Sequence, residues 1–162
     1  MEGKAVSESK IMIVQQMVQA DANLVGNVHG GTIMKLIDST AGLVASRHAS
    51  GNVVTASIDR LDFHHPVFVA ELLIIHASVN YTGNTSMEVG ARVEAENVLT
   101  GERRHTASAY LTFVALDKNG KPSQIPPLVL ENEEDKRRCR QATQRRKIRL
   151  DERSTENETR SS

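Results

Sequence analysis

Two hydrophobic periods alternate along this chain, and their order predicts its architecture. Ile33, Leu36, Ile37, Ala41, Val44 and Ala45 recur at spacings of three and four, the signature of one apolar helix face. Ser50-Gly51-Asn52 is a stop signal, so this helix ends near His48. From Val53 onward the period falls to two. Residues 53–63 are rich in β-branched side chains and read as a strand, with Pro66 breaking it. Residues 71–81 read as a second strand, and Thr82-Gly83-Asn84 as a turn. Met87, Val89, Ala91, Val93 and Ala95 then alternate with Glu88, Gly90, Arg92, Glu94 and Glu96, which predicts a sheet with one solvated face. Thr100-Gly101 turns the chain into a strand over 103–116, and Asp117-Lys118-Asn119-Gly120 turns it again. Pro122, Pro126 and Pro127 mark an extended exit.

The flanks are less regular. Residues 7–18 read as a strand and 20–30 as a loop. Residues 131–150 read as a charged helix in which acids lead and bases follow, the order the helix dipole favours. Residues 151–162 hold no apolar side chain and read as a disordered tail. The chain is thus expected to be one domain over 1–150 followed by that tail. Short turns between consecutive strands imply antiparallel neighbours. One long apolar helix against such a sheet is an α+β layer structure, and a strongly curved sheet wrapped round the helix would cover its apolar face.

Composition narrows the class. The 162 residues carry twenty basic and twenty acidic side chains, so no global field favours nucleic acid or a membrane surface. Aromatics make up 3%, too few for base-stacking platforms. A lone cysteine, Cys139, cannot form an internal disulfide. No stretch reaches the ~18 apolar residues of a bilayer span, and residues 1–10 lack the apolar core of a signal peptide. The expectation is a cytoplasmic protein.

Candidate chemistry concentrates in Gly26-Asn27-Val28-His29-Gly30-Gly31, which runs straight into the helix that carries Asp38. Backbone N–H groups at a helix start have no intrahelical acceptor and bind oxyanions, which makes Gly30 and Gly31 candidate donors. Asp38 sits in sequence among Leu36, Ile37, Ala41 and Val44, where a charge needs a partner or a task. It is as readily a carboxylate paired with a neighbouring chain. Asn27 and His29 read equally as turn and hydrogen-bonding residues. His64-His65 reads as structural, because adjacent strand residues point to opposite faces and cannot share a metal ion.

An ordered set of segments resembles the hotdog-fold acyl-CoA thioesterases, close to the brain-type cytosolic long-chain acyl-CoA hydrolases and their single-domain bacterial relatives. The segments are Ala22-Asn23, Gly26 to Gly31, Met34-Lys35-Leu36-Ile37-Asp38, Val54-Thr55-Ala56-Ser57, Asp62-Phe63-His64-His65-Pro66-Val67, Gly83-Asn84-Thr85-Ser86-Met87-Glu88-Val89 and Thr112-Phe113-Val114-Ala115-Leu116-Asp117, with Pro126. Ala70 departs from the glycine that relatives tend to carry there. The resemblance implies a hotdog fold and hydrolysis of fatty acyl-CoA, with Asp38 as general base or nucleophile. It places the loop asparagine on Asn27, positioning water or the carbonyl. It also implies homo-oligomers, commonly hexamers of three dimers. Asp38 lies seven residues past Gly31, roughly 10 Å along a helix, whereas reacting groups must approach within about 3–3.5 Å. The helices of two copies packed antiparallel would bring Asp38 of one to Asn27 of the other.

Coenzyme A would be substrate and product, and a thiolate leaves without help from a metal, so no cofactor or metal is expected. Gly83, Asn84, Thr85 and Ser86 are candidates for holding the pantetheine arm. Arg60, Arg145, Arg146 and Lys147 are candidates for the phosphates. A hotdog hydratase or dehydratase and a non-catalytic acyl-CoA-binding regulator are the alternatives, since the fold alone does not fix function.

Overall fold

A computed structural model of the chain describes residues 1–161. The chain opens with β1 (Lys4–Ala5), a single helical turn α1 (Val6–Ser9) and β2 (Ile11–Gln16). Helix α2 (Gly30–Ala49) follows, and then four long strands: β3 (Asn52–Phe63), β4 (Leu72–Thr82), β5 (Ser86–Glu96) and β6 (Arg103–Leu116). A short β7 (Leu128–Val129) leads into α3 (Glu133–Ser161). Five strands make one antiparallel sheet in the order β2-β4-β5-β6-β3, while β1 and β7 pair in parallel beside it. The chain therefore leaves one sheet edge at β2, crosses the inner face as α2, and re-enters at the opposite edge as β3.

The periodicities explain this arrangement. Ile33, Ile37, Ala41, Val44 and Ala45 of α2 are buried against Leu73, Ile75, Val79, Met87, Val89, Val93, Leu111 and Phe113 from the inner face of the sheet. Burying each large aliphatic side chain contributes ~1.5–3 kcal/mol before the entropy of ordering is charged against it. The helix ends where Ser50 turns left-handed (φ 53°) and donates its N–H to the Ser46 carbonyl.

The structure differs from the sequence expectation at both flanks. Helix α1 takes in residues 7–9, so these are not the start of a strand, and the Glu8 carboxylate accepts from the Ala5 N–H at 2.6 Å. At the other end α3 does not stop at Leu150. It continues to Ser161, so the tail expected to be disordered is helical over 151–161. Elongation from a formed helix needs no new nucleus, and that is what composition alone does not register.

The outer face of the sheet, turned away from α2, is also not uniformly wet. Helix α3 crosses it and buries Glu88 to 3% exposure. The Glu88 carboxylate accepts from Arg145 Nη2 (2.7 Å), Arg145 Nε (3.1 Å) and Asn80 Nδ2 (3.1 Å), while the Arg145 guanidinium lies 3.7 Å from the Tyr110 ring centroid. A Cβ on Gly90 would come within 2.5 Å of Asn80 Nδ2, so this position stays glycine to make room for the network.

Candidate active site

The loop before α2 is wound on one asparagine. Asn23 Oδ1 accepts the backbone N–H of Val25 (3.0 Å) and of Asn27 (3.1 Å), and the Asn23 N–H donates to the Asn27 carbonyl at 2.7 Å. Gly26 completes the turn at φ 90°, a conformation that costs other residues a Cβ clash. The carboxamide oxygen of Asn23 is thereby fixed, which leaves its NH2 group to donate elsewhere. Asn27 is held by its main chain, which bridges to Phe68, and its side chain has no partner among the described residues. Val28 donates to the Val67 carbonyl at 2.8 Å. The 66–71 segment is itself clamped, because Arg104 Nη2 donates to both oxygens of Glu71 (2.9 and 2.7 Å).

His29 occupies the N-cap position of α2 without a side-chain cap. The N–H groups of Gly30 and Gly31 have no acceptor among the described residues, and both glycines are exposed. A Cβ on Gly31 would meet nothing within 4 Å. The helix start is thus an open pair of donors at the positive end of the helix dipole.

Asp38 lies two turns further on. It is half-buried, not immersed in the core: the inward residues are Ile33, Ile37, Thr40, Ala41, Val44, Ala45 and His48, and Asp38 sits beside that face. Its Oδ1 accepts a hydrogen bond from Thr55 Oγ1 of β3 at 2.7 Å. Thr55 escapes sequence reasoning because the contact exists only once β3 lies alongside α2.

Strand β3 is a sheet edge with no partner beyond it, and Val54, Ile58 and Phe63 on it are exposed, as are Met34 and Leu43 of α2. A long edge strand carrying exposed apolar side chains is a surface ready to pair.

The candidates for holding coenzyme A scatter. Turn residues Gly83, Asn84, Thr85 and Ser86 sit where β4 and β5 meet, at the opposite end of that hairpin from the Asn27–Phe68 bridge. Their backbone is largely engaged: Gly83 N–H donates to Ser86, and the carbonyls of Asn84 and Thr85 accept from Ile125 and Ala115. Arg60 on β3 pairs with Asp62 at 2.6 Å and is exposed. Arg145 is committed to Glu88 on the outer face, with the sheet between it and α2. Arg146 lies over the Tyr81 ring at 5.6 Å, and Lys147 is exposed. Among the described residues no group of three or more His, Cys, Asp or Glu side chains is placed to hold a metal ion, and no helix is long and apolar enough to cross a membrane.

A helix with two open N–H donors at its start and a threonine-anchored carboxylate two turns on, wrapped by an antiparallel sheet, defines a hotdog protein. Residues 25–102 match the thioesterase superfamily. The chain is 40% identical over 139 residues to the cytosolic acyl coenzyme A thioester hydrolase of Mus musculus, a match covering 85% of this chain and 36% of the mouse protein, so it spans about a third of that relative's length. It superposes on the acyl-CoA hydrolase of Staphylococcus aureus, solved with butyryl coenzyme A, coenzyme A and coenzyme A disulfide, at TM-score 0.89 and 37% identity, covering 96% of this chain and 95% of that one. The same enzyme has been solved with an aspartate, an asparagine or a threonine replaced by alanine. There the asparagine precedes the aspartate by fifteen residues and the threonine follows it by seventeen. A hexameric acyl-CoA thioesterase matches at TM-score 0.91 and 38% identity, covering 94% and 97% of the two chains. The chain belongs to the thioesterase superfamily, in its acyl-CoA hydrolase branch.

Proposed function

We propose that this chain hydrolyses acyl-coenzyme A to a free fatty acid and coenzyme A, at a site shared by two copies of itself. The observation that carries this reading is the Asp38–Thr55 pair set beside an unpaired β3 edge, with two unsatisfied glycine N–H groups at the start of the same helix. Along α2, Gly31 and Asp38 are separated by roughly 10 Å, too far to act on one carbonyl. Pairing of two β3 edges about a twofold axis would set the helices antiparallel and place Asp38 of one copy opposite the loop of the other. Three such dimers would give a hexamer of the kind the structural neighbour forms.

In this site the thioester carbonyl oxygen accepts from Gly31 N–H and Gly30 N–H. Asp38 takes a proton as water attacks the carbonyl carbon, or its carboxylate attacks directly to give an anhydride that water then opens. The negative charge that develops on the carbonyl oxygen meets fixed dipoles. Collapse of the tetrahedral species breaks the C–S bond, which in the second route is the step that forms the anhydride, and the departing thiolate takes up the proton that the water gives up.

Asn27 is the asparagine that the sequence resemblance points to, but two observations favour Asn23 as the working amide. Asn23 stands fifteen residues before Asp38, and Thr55 stands seventeen after it, the spacings of the three residues altered in the S. aureus enzyme. Asn23 also has its oxygen pinned and its NH2 free, the arrangement of an oriented donor. Asn27 then closes the turn that holds Asn23. For coenzyme A itself, Arg60 on the pairing edge suits a phosphate contact, with Arg146 and Lys147 less favourably placed and Arg145 withdrawn by Glu88. The Gly83–Ser86 turn would contribute from the other copy, whose strands run the opposite way.

Thiol release from acyl-CoA tests the assignment. Asp38→Ala and Asn23→Asp should each lower kcat roughly a hundredfold or more, the scale of losing a general base or an oxyanion donor. Asn23→Asp keeps an acceptor for the two loop N–H groups while it removes the donor and adds a negative charge. Asn27→Ala should lower kcat far less. Full activity in the Asp38 and Asn23 variants would sink the reading, and a larger loss at Asn27 than at Asn23 would return the role to Asn27.

A further inference from the structure

Edge strand β3 does not keep a strict alternation. Its inner face is marked by the β6 residues it pairs with: Thr55 with Phe113, Ile58 with Leu111, Leu61 with Ala109 and Phe63 with Ala107, all four partners lying in the core. Ser57 and Arg60 pair instead with Thr112 and Tyr110, on the outer face. The register shifts between Thr55 and Ser57 and again between Ile58 and Arg60, so Ala56 and Asp59 have no partner on β6. A side-chain period of two, counted from Thr55, would turn Ser57 and Asp59 towards α2. The two bulges cancel in phase, and Leu61 and Phe63 face inward as they would without them. The change is confined to one place: a serine and an aspartate leave the inner face, and Ile58 takes it.

That place lies between the two ends of the candidate site. Thr55 bonds Asp38, and further along β3 Phe63 Cζ lies 3.6 Å from where a Cβ on Gly30 would be, so β3 runs antiparallel to α2 over this stretch. Met34 stands one turn before Asp38 on the same side of α2. Met34 and Ile58 are each 41% exposed. The floor between the acid and the helix start is therefore apolar, where an unbroken alternation would put a second carboxylate.

Asp59 is held on the outer face by α3. Arg149 Nη1 pairs with its Oδ2, and Ser57 Oγ donates to its Oδ1 at 3.3 Å. Both side chains of the ion pair are only 15% exposed. A shielded ion pair can fix register without adding net stability, because desolvation offsets its attraction.

We propose that Arg149 is a positioning residue. By drawing Asp59 to the outer face, the Arg149–Asp59 latch holds β3 in its bulged register, so that Ile58 and Met34 offer an apolar floor to the acyl chain and no second carboxylate stands beside Asp38. This rests on the acyl-CoA reading above and deepens it, because a residue behind the sheet sets substrate preference in front of it. With the cation removed, Asp59 loses its partner and the alternating register that turns it inward is no longer opposed. A carboxylate there repels Asp38 and sets a charge against the acyl chain.

The test compares Arg149→Ala with the parent, both as full-length chains. Amide hydrogen exchange over residues 55–60 should quicken about tenfold or more, while β4 and β5 keep their protection. The ratio of kcat/KM for palmitoyl-CoA to that for acetyl-CoA should fall about tenfold, because only the longer chain lies on the floor. A purely structural loss lowers both rates alike and leaves the ratio unmoved. Arg149→Lys should restore the ratio, and with Asp59→Ala already present Arg149→Ala should change it little. Unchanged exchange at 55–60 would overturn the latch. Faster exchange with an unchanged ratio would overturn its link to the acyl chain. A parent chain that releases no thiol from any acyl-CoA would end the reading of function, and the exchange measurement would still decide the latch.

Discussion

Thr55 Oγ1 donates to Asp38 Oδ1 at 2.7 Å, and this one hydrogen bond ties the edge strand to the acid of the central helix. The threonine fixes one carboxylate oxygen and leaves the other without a hydrogen-bond partner among the described residues. Thr55→Val preserves shape and β-propensity while deleting the hydroxyl. It should lower kcat about ten- to a hundredfold with little change in KM, because in the proposed mechanism a misdirected carboxylate loses geometry and not affinity. Thr55→Ser should recover most of the rate. Since Thr55 is exposed, the melting temperature of both variants should stay near that of the parent. Equal kinetics for Val and Thr at this position would remove the residue from the mechanism.

Gly31 presents the opposite balance. Nothing lies within 4 Å of where its Cβ would be, and the residue is in the first turn of a helix, where glycine is a poor former. Gly31→Ala should therefore leave stability unchanged or raise it by up to ~1 kcal/mol. The methyl group would fill the space in front of a donor proposed to hold the oxyanion, so thiol release should fall at least tenfold. Thermal melts and turnover measured on one preparation check both signs, and a variant as active as the parent would exclude Gly31 N–H as a donor.

Ala70 offers a purely conformational prediction. It holds φ at 74°, the left-handed region, where its N–H donates to the Met17 carbonyl at 2.8 Å and its own carbonyl accepts from Gln16 Nε2 at 3.2 Å. The left-handed conformation costs a non-glycine residue ~1–2 kcal/mol. Ala70→Gly should relieve it and raise the unfolding free energy by about 1 kcal/mol after the added freedom of the unfolded chain is deducted. Urea unfolding midpoints would show it, and a lower midpoint would mean that the flanking hydrogen bonds, not the dihedral, govern this turn.

How far the sequence carried depends on whether a feature is local. The apolar face of α2 from Ile33 to Ala45 and the alternation from Met87 to Ala95 are local periodicities, and the structure reproduces both. So is the departure at Ala70, which stands out against relatives before its φ is known. What failed was tertiary. Glu88 belongs to the polar half of an alternating strand and is nonetheless buried, because Arg145, fifty-seven residues later, lies over it. The same contact turns Arg145 from a free cation into half of a buried ion pair. Asn23 and Asn27 are four residues apart in one loop, and composition cannot rank them; the preference proposed for Asn23 rests on its spacing to Asp38 and on the two N–H groups that pin its oxygen. The helical end of α3 has no apolar stripe of its own, so nothing in its periodicity announces it.

A final prediction concerns acid. His48, in the last turn of α2, is fully buried, with Nε2 donating to the Pro126 carbonyl at 2.9 Å and Nδ1 buried without a partner. Protonation would add a second N–H with no acceptor. Burial holds the imidazole pKa below its ordinary value of 6.5; the Pro126 carbonyl opposes this, the Lys4 ammonium reinforces it, and Glu8 opposes it weakly. A cation at a helix C-terminus is ordinarily favourable, but here desolvation outweighs the dipole. With the folded pKa lower than the unfolded one, the unfolded chain binds more protons between the two. Stability is therefore complete above about pH 7 and is lost as pH falls below 6.5, at no more than about 1.4 kcal/mol per pH unit, until the folded pKa is passed. His105, shifted the same way chiefly by burial, adds to this slope. His48→Gln retains a donor for Pro126 and cannot take up a proton, so its unfolding midpoint should change distinctly less between pH 7.5 and 5.5 than that of the parent. Parallel pH profiles for the two chains would show that the buried imidazole does not set the acid limit of the fold.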